Sequence, residues 1–496
     1  MSSGLSEDLG PDGVAIVGGG LVGCLLGVYL RKHGMNVTIY ESRADPRLKQ
    51  ETGRSINLIM SSRGIHALTS VEKSLAARVM AVTTKVTGRT LHNGKDDVVT
   101  YQAYGPDASY CNFSVSRWEL NKVLMDAAQE AGCNIVFNHP IAHVDVPSGT
   151  LYFYLHDAST SQLYQKAVVA AHIFGCDGGG SRVRQALEGF LKSPGRSENL
   201  GYGYKELRMP LLATGEPALD HLSLHIWPRG SHFMMGLANK DGSFTMTLYM
   251  PCKGPLSFES VCASAEAAEA FFQEHYSSAV PLMPDFKEAL LKNPVGFLGT
   301  IYTQPWHYKD KVCILGDASH AITPFFGQGC NSGFEDVSVL HTLLQQFSSA
   351  EPRTPGGRMN MSAVFDAFYA ERKPNTDAIA AMALENFTEM MAKVADSRFQ
   401  LEKQIEIQLS HRLGSSFISR YALITHSLVP YSHCQMVGKV QQSILSVLSE
   451  GKSDEASVDY LLAAKLVDEQ LAPLMLKLGI NADNSVYTSE FYRQTE

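Results

Sequence analysis

Three glycine-rich segments carry most of the residues in this chain that could bind a charged ligand. In the first, Gly18, Gly20 and Gly23 follow the apolar run Val14–Val17 in the spacing G-x-G-x-x-G. Between a strand and a helix, this spacing lets a pyrophosphate approach the backbone and the N-terminal amides of the helix. Glu41 ends the next predicted strand, where it could accept hydrogen bonds from a ribose. The segment therefore predicts a dinucleotide site, and alone it does not separate FAD from NAD.

The second and third segments each end an apolar run with an acidic residue. Asp177 follows a strand predicted over 168–175, and Asp317 follows another buried strand that begins at Val312. Because α/β sheets bind ligands at the carboxyl ends of their strands, Asp317 is placed to hydrogen-bond a ribityl hydroxyl. The alternative for either acid is the cap of a turn or helix, the commoner use of an Asp before Gly.

The third segment continues into a turn with Gly327 and Gly329 and a helix predicted over 332–346. The glycines would let the backbone approach a planar ring. The N-terminal amides of the helix would face the flavin edge where negative charge grows on reduction. His320 is expected to be a packing or hydrogen-bonding residue, since the flavin itself carries the chemistry.

Composition narrows the class of protein. The 496 residues are 45% hydrophobic and 19% charged, and the net charge of −8 argues against a general nucleic-acid binder. The nine cysteines show no C-x-x-C spacing, which favours a reduced compartment and argues against zinc. The first residues resemble neither a signal nor a transit peptide. No apolar run reaches membrane-spanning length, and residues 461–480 predict a packed amphipathic helix.

Together the three segments resemble the single-component FAD-dependent aromatic hydroxylases, with the second as their D-G motif and the third as their G-D motif. The likeness extends through about residue 431 and is strongest to the branch that hydroxylates L-kynurenine. Five short strings carry that closer likeness: Gly53–Leu58, Ser114–Arg117, Phe137–His139, His225–Arg229 and Pro324–Gly329.

The resemblance implies a two-lobe α/β fold of the PHBH type, with a Rossmann-like FAD-binding lobe, an inserted antiparallel β-sheet substrate lobe and a C-terminal helical region. Independently, three alternating apolar runs between 222 and 248, with a turn at 239–242, predict a half-buried antiparallel sheet. The expected segments are 12–80, 114–195 and 301–375 for the FAD-binding lobe, 81–113 and 196–300 for the substrate lobe, and 376–496 for the C-terminal region.

The motifs and the resemblance together predict which residues hold FAD. At Ile59 and Ile141 the contact would be made by the backbone. The predicted cofactor-binding residues are Gly18, Gly20, Val22, Gly23, Tyr40, Glu41, Ser42, Arg43, Ile59, Arg117, Ile141, Asp177, Asp317, Gly329, Cys330 and Asn331.

For the substrate, the resemblance implies a clamp on the carboxylate of L-kynurenine. Its arginine maps to Arg89 and its tyrosine to Tyr104, with Tyr101 as the alternative. Asn386 and Tyr421 match two further substrate-binding positions. Without the resemblance, an arginine on a polar strand is usually a solvated surface residue.

The resemblance also implies the reaction. NADPH, bound transiently without a second G-x-G-x-x-G, would reduce FAD, and O2 would give a flavin hydroperoxide that hydroxylates the ring beside the amine. No side chain is predicted to be catalytic. Relatives imply a location at the mitochondrial outer membrane. Without a predicted span, peripheral attachment or a cytoplasmic enzyme is expected.

Three other functions fit the same residues. The protein could hydroxylate another aromatic acid, which would need the same clamp. It could be a flavin reductase that inserts no oxygen. It could also be a flavin-binding interaction protein whose redox state switches a partner, with the region after residue 431 as the contact.

Overall fold

The computed structural model of the chain describes residues 5–48, 57–94, 98–105, 109–156, 163–349, 359–389, 397–484 and 486–487. Most of the predicted string Gly53–Leu58 lies outside these residues. In chain order, the strands within these ranges are β1 (Leu5–Asp8), β2 (Gly13–Val17), β3 (Asn36–Tyr40), β4 (Asn57–Met60), β5 (Thr84–Val86), β6 (Gly88–Asn93), β7 (Val98–Ala103), β8 (Asn112–Ser116), β9 (Asn134–Val136), β10 (Ile141–Asp145), β11 (Thr150–His156), β12 (Leu163–Val169), β13 (His172–Gly175), β14 (Arg196–Met209), β15 (Ser223–Pro228), β16 (Phe233–Ala238), β17 (Phe244–Pro251), β18 (Gly296–Tyr302), β19 (His307–Tyr308) and β20 (Val312–Ile314).

Helices cover the sheets and form most of the chain after residue 360. The last two are joined by a π-helical turn, Val467–Leu471. The α-helices of the described ranges are α1 (Leu21–Lys32), α2 (Ser62–Val71), α3 (Lys73–Met80), α4 (Arg117–Glu130), α5 (Arg182–Leu191), α6 (Phe258–Val261), α7 (Ala265–His275), α8 (Phe286–Lys292), α9 (Asp317–His320), α10 (Gly329–Ser349), α11 (Met361–Thr388), α12 (Ser397–Leu413), α13 (Arg420–His426), α14 (Tyr431–Ser449), α15 (Tyr460–Leu466) and α16 (Ala472–Lys477).

A six-stranded sheet in the order β19-β20-β13-β2-β3-β9 organises the first lobe. All its neighbours are parallel except the edge pair β19 and β20. Every residue of β2 is buried, as a parallel strand covered on both faces requires. The carboxyl ends of β20, β13, β2 and β3 therefore meet at one edge of the sheet, where ligands bind in such folds.

The strand predicted over 168–175 is wrong as a single element. Its first part is the end of β12, which pairs with β11 in a four-stranded sheet. Its second part is β13, which pairs with β2 and β20 in the six-stranded sheet. The chain leaves one sheet and enters the other at Ala170 and Ala171, and both are apolar residues. The apolar run therefore gave no sign of the break.

A seven-stranded sheet in the order β18-β14-β17-β16-β15-β6-β7 forms the second lobe. The predicted antiparallel runs are confirmed as β15, β16 and β17. Their half-buried character is wrong, because these central strands are covered on both faces. One face packs on α6 to α8 with Trp227, Met246 and Phe272, and the other carries Leu224, Phe233 and Tyr249.

The C-terminal helices build a further core around Ile379, Leu423 and Val437. The amphipathic helix predicted at 461–480 is confirmed as a packed segment, although a π-helical turn interrupts it. Among the described residues, no helix is both long and apolar enough to cross a membrane. The predicted boundaries of the lobes stay predictions.

Candidate flavin and substrate site

The turn after β2 has the geometry of a phosphate cradle. Gly18 has a φ of +103° and donates its N–H to the carbonyl of Tyr40 at 2.8 Å. A Cβ atom at Gly18 would lie 2.5 Å from the carbonyl oxygen of Cys176, and one at Gly23 would lie 2.0 Å from that of Gly18. A Cβ atom at Gly20 would meet no protein atom within 4 Å. Gly18 and Gly23 therefore serve packing, whereas Gly20 borders a groove that a ligand can fill.

Glu41 stands at the end of β3, beside this turn. Its carboxylate is 3% exposed and accepts hydrogen bonds from the N–H of Gly19 at 2.9 Å and the Oγ of Ser42 at 3.2 Å. It also accepts bonds from the backbone N–H and the Nε of Arg43, each at 2.9 Å. Burial would raise the pKa of Glu41, but the hydrogen bonds and charge of Arg43 hold it below the ordinary value. An ionised acceptor is therefore fixed at the rim of the cradle.

Asp177 lies next to the same turn and caps a helix. Its carboxylate accepts hydrogen bonds from the Oγ of Ser181 at 2.5 Å, the N–H of Arg182 at 2.6 Å and the N–H of Val183 at 3.3 Å. These bonds satisfy free amides at the start of α5. Burial raises the pKa of Asp177 despite these bonds. A contact of Asp177 with FAD stays a prediction.

Asp317 and Arg117 differ from Asp177 because both are exposed. They begin α9 and α4, and neither forms a hydrogen bond or ion pair with the described residues. Both lie close enough to Cys330 for their charges to act on its thiol, whose pKa burial raises to about 12. Two opposite charges thus lie at the groove without partners among the described residues. This is expected of side chains that bind a polar ligand.

The start of α10 faces the same groove. A Cβ atom at Gly329 would meet nothing within 4 Å. The Asn331 side chain is already engaged, since its Nδ2 donates to the carbonyls of Ile59 at 2.7 Å and Gly327 at 2.9 Å. Its Oδ1 accepts the N–H of Ser61 at 2.9 Å. Ile59 and Asn331 therefore bind each other, and the free N–H groups at the start of α10 are what remains for a ligand.

Three other predicted contacts are apolar or buried. Val22 packs against Gly316, where a Cβ atom would lie 3.0 Å from its Cγ2. Tyr40 is buried with a hydroxyl that has no partner among the described residues. Ile141 belongs to the neighbouring sheet, opposite Phe153, whose ring lies 4.9 Å from that of Tyr40. The structure thus places Val22 beside the third motif and Ile141 further from the cradle.

A buried carboxylate, missed in the sequence, supports the third motif from behind. Asp336 accepts the N–H of Gly316 at 2.8 Å, a bond from His320 Nε2 at 2.6 Å and one from Arg372 Nε at 2.7 Å. Burial would raise the pKa of Asp336, but interaction with His320 and Arg372 keeps it below its ordinary value. The hydrogen-bonding role expected for His320 is confirmed.

The network continues to the C-terminal helices. Arg372 donates to Glu335 at 2.5 Å, and Arg63 of α2 donates to the other oxygen of Glu335. The Arg63 guanidinium lies 3.8 Å from the centroid of the Tyr431 ring. Buried charges are costly unless each is paired. Because the paired residues lie on α2, α10, α11 and α14, the network fixes these four helices relative to one another.

The predicted carboxylate clamp is assembled around Arg89 in β6. Its guanidinium carbon lies 4.7 Å from the centroid of the Tyr421 ring and 5.6 Å from that of Tyr104. The two tyrosine rings stack with their centroids 5.6 Å apart. Burial disfavours the charged guanidinium, yet both phenol oxygens outweigh it and raise the pKa of Arg89. No carboxylate of the described residues lies within 4 Å of Arg89, and its buried Nε has no partner.

Of the two candidate tyrosines, the structure brings Tyr104 to Arg89. Tyr101 is 53% exposed on β7 and its hydroxyl lies 3.0 Å from Thr87 Oγ1. Strand β7 pairs with β6 so that Tyr101 stands opposite Thr90, one residue past the arginine. Tyr104 follows the end of the strand and turns back over Arg89.

Asn386 lies in the same wall, at the C-terminal end of α11. Its Nδ2 donates to the carbonyl of Phe325 at 2.8 Å. The next residue, Phe326, stacks on Tyr421 with centroids 6.3 Å apart. The Phe325 ring lies 6.0 Å from that of Tyr249 on the substrate sheet. An aromatic wall therefore joins the flavin groove to the clamp.

Two buried polar residues of this wall were missed. Asn112 begins β8 and donates its Nδ2 to the Tyr421 hydroxyl at 3.2 Å. His426 ends α13 among the rings of Tyr104, Tyr110 and Tyr421, and neither ring nitrogen has a partner among the described residues. Burial lowers the pKa of His426 to about 3. Both residues stand among mixed polar and apolar neighbours, so no pattern in the sequence distinguished them.

These residues fit FAD. The glycine cradle, the ionised Glu41 at a strand end and the unpaired charges of Arg117 and Asp317 line one edge of the six-stranded sheet. The family described as FAD binding domain matches residues 13–353. Among solved structures, 2-methyl-3-hydroxypyridine-5-carboxylic acid oxygenase superposes with a TM-score of 0.59 at 18% identity, over 79% of this chain and 95% of that one. The family model and the groove thus define a FAD-binding protein, and the superposition shows its two-lobe fold.

The relatives narrow this class. A kynurenine 3-monooxygenase of Myxococcus xanthus is 41% identical over 466 residues, covering 94% of this chain and 96% of the relative. One of Dictyostelium discoideum is 36% identical over 464 residues, covering 92% and 98%. The chain belongs to the kynurenine 3-monooxygenase family.

Proposed function

We propose that the protein hydroxylates L-kynurenine to 3-hydroxy-L-kynurenine with NADPH and O2 as co-substrates. In the balanced reaction, NADPH and one proton are consumed, one oxygen atom of O2 enters the ring, the other leaves as water, and NADPH becomes NADP+. The observation that carries the proposal is Arg89, a half-buried cation beside the stacked rings of Tyr104 and Tyr421 with no carboxylate partner among the described residues. A charge that is partly removed from water is stabilised by an opposite charge, so an anionic ligand is the missing partner.

The chain's residues would divide the work between two places. Arg89 with Tyr104 and Tyr421 binds the carboxylate, and the aromatic wall around Phe325 and Tyr249 receives the ring. Bound FAD supplies the redox chemistry that couples NADPH oxidation to oxygen insertion. The side chains orient the substrate ring and exclude water, which is how a protein contributes when the cofactor carries the reaction.

The residues proposed to hold FAD are those that face the groove. Gly20 admits the pyrophosphate, while Gly18 and Gly23 form the close-packed turn around it, and Glu41 accepts from a ribose. Asp317 and Arg117 would bind polar groups of the cofactor, because neither side chain has a partner among the described residues. Direct contacts from Tyr40, Ser42, Arg43, Ile141, Asp177, Cys330 and Asn331 are proposed on the resemblance alone.

The test is a substrate panel with the purified FAD-loaded protein. NADPH oxidation should rise on addition of L-kynurenine, and the product should carry one added oxygen atom. Faster turnover of another aromatic acid would move the proposal to that substrate. NADPH oxidation without oxygen in any product would instead identify a reductase, and no stimulation by any aromatic acid would support a purely binding role.

Location is proposed only in its coarse form. A peripheral contact with a membrane is compatible with the absence of a spanning helix in the described residues. The family name carries no location for this chain, because relatives such as that of Myxococcus xanthus are bacterial. Fractionation of the cells that make the protein would test whether it is located at the mitochondrial outer membrane.

A further inference from the structure

Asn112 contacts the clamp at Tyr421, from the side of β8. Its side chain is buried, with the residue 1% exposed. Its Nδ2 donates to the Tyr421 hydroxyl at 3.2 Å. Its Oδ1 has no partner among the described residues. Asn112 is therefore a donor toward the clamp that approaches it from behind.

The Arg89 guanidinium lies beside both tyrosines, 4.7 Å from the centroid of the Tyr421 ring and 5.6 Å from that of Tyr104. An amide NH2 can only donate, so the Tyr421 oxygen acts as an acceptor toward Asn112. The proton of this hydroxyl must then point elsewhere.

The hydroxyl protons of Tyr104 and Tyr421 have no acceptor among the described residues. No hydrogen bond donated by Tyr104 or Tyr421 is formed within the described residues. Burial, with a further contribution from Tyr421, raises the pKa of Tyr104, so this hydroxyl stays protonated at neutral pH. Two O–H donors and one guanidinium thus stand together without an acceptor.

We propose that Asn112 is a positioning residue that holds the hydroxyl oxygen of Tyr421 as an acceptor, so that the O–H group of Tyr421 donates to the substrate carboxylate on Arg89. Asn112 itself does not touch the substrate. This role rests on the proposed function, because it needs a carboxylate at Arg89. It adds the reason why the neutral phenol of Tyr421 acts as a donor there.

Asn112→Leu and Asn112→Asp separate this role from simple packing. Leucine has a similar volume and removes the donor, so the KM for L-kynurenine should rise about ten-fold with kcat nearly unchanged. Aspartate places an acceptor where the amide donates, so the Tyr421 hydroxyl would donate to the aspartate and not to the substrate. The KM of the aspartate variant should therefore rise further than that of the leucine variant. Titration calorimetry of kynurenine binding should give the same order.

A double-mutant cycle decides whether the Tyr421 hydroxyl carries the effect. In a Tyr421→Phe background, Asn112→Leu should cause no further loss of kynurenine binding, because the group that it orients is gone. The decarboxylated analogue of kynurenine should bind Asn112→Leu and the wild-type protein equally. FAD content and melting temperature show that each variant is folded.

The outcomes distinguish this proposal from the function on which it rests. If Arg89→Met loses kynurenine binding while Asn112→Leu keeps a normal KM, the positioning role is overturned and the proposed function stands. An Asn112→Leu effect of equal size in the Tyr421→Phe background would also overturn it. If wild-type protein and Arg89→Met both ignore kynurenine, the proposed function itself fails.

Discussion

The flavin groove and the substrate clamp both carry charged groups without partners among the described residues, but these groups differ in their exposure to solvent. In the groove, Asp317 and Arg117 are exposed and unpaired, and the glycine cradle leaves space at Gly20. In the clamp, Arg89 is half-buried beside two half-buried tyrosines, and its Nε is shielded from solvent. The groove therefore presents exposed charges to a large ligand, whereas the clamp presents a partly shielded cation to one anion.

The difference explains how each region tolerates its unpaired groups. Exposed charges are solvated when no ligand is present, so the groove costs the fold little. A half-buried cation without an anion loses part of its hydration, and the stacked tyrosines compensate only in part. We therefore expect variants of the groove to change FAD affinity with little effect on the apoprotein, and variants of the clamp to change substrate binding with FAD retained.

Gly20→Val should have the largest effect, the loss of bound FAD. Gly20 has φ −79° and ψ −172°, which valine can adopt, and a Cβ atom there would meet no protein atom within 4 Å. The side chain would instead occupy the space of the pyrophosphate. The variant should purify folded but colourless, as absorbance and circular dichroism would show.

Gly189→Val is the matched control for this variant. Gly189 is exposed on α5, and a Cβ atom there also meets nothing within 4 Å. This protein should stay yellow. Full flavin occupancy in Gly20→Val would mean that the groove does not bind the pyrophosphate at this turn.

Arg89→Met should raise the KM for L-kynurenine sharply and leave FAD content unchanged. Removing one partner of a buried charge pair costs about 2–5 kcal/mol, which is roughly thirty-fold or more. Arg89→Lys should recover only part of the loss, because a point charge replaces a planar fork. Steady-state kinetics and flavin absorbance measure both effects.

Arg208→Met provides the control, since Arg208 is exposed on β14 of the same sheet. Its KM should match that of the wild-type protein. If Arg89→Met kept normal kynurenine dependence, the clamp would lie elsewhere and the contrast between groove and clamp would fail.

The groove was largely predictable from sequence because each of its parts is local. Gly18, Gly20 and Gly23 stand within six residues, and strand, turn and helix follow one another along the chain. Even so, the pattern could not tell that Asp177 caps a helix while Asp317 is free. Both acids follow an apolar run, and only the position of the next helix separates them.

The clamp was not predictable from local pattern. Arg89, Tyr104 and Tyr421 come from distant segments, and only the resemblance to known hydroxylases connected them. Asn112 was missed because a single amide in a buried strand resembles an ordinary core polar group. The sheet covered on both faces was misjudged for a similar reason, since alternation alone cannot report what packs on the outer face.

Asp317→Ala should weaken FAD binding without destabilising the apoprotein. A hydrogen bond to a charged group contributes about 1.5–3 kcal/mol, roughly ten- to a hundred-fold in the dissociation constant. Because Asp317 has no partner in the described protein, the melting temperature of the apo form should not change. Flavin titration would measure the affinity, with exposed Asp468→Ala as control. Unchanged affinity in Asp317→Ala would make it a turn residue only.

Asp177→Ala should show the reverse pattern in the apoprotein. Its carboxylate caps α5 through Ser181 and two backbone amides, so its removal should lower the free energy of unfolding by about 1 kcal/mol. Urea denaturation of the apo form would measure this loss. Equal stability of Asp177→Ala and wild-type apoprotein would contradict the capping role.

The smallest expected effect concerns His426 behind the clamp. Burial lowers its pKa to about 3, whereas an unfolded histidine has about 6.5. Below pH 6.5 the unfolded chain therefore binds more protons, and His426 makes the folded protein lose stability as the pH falls toward 3. Between pH 8 and pH 6 this single group should lower the free energy of unfolding by about 0.8 kcal/mol.

His426→Phe, which keeps an aromatic ring in the wall, should remove this part of the pH dependence. Urea denaturation of both proteins at the two pH values measures it, with other buried histidines such as His232 common to both. The same acid sensitivity in both proteins would mean that His426 is protonated in the folded state, and the clamp would then hold a second cation beside Arg89.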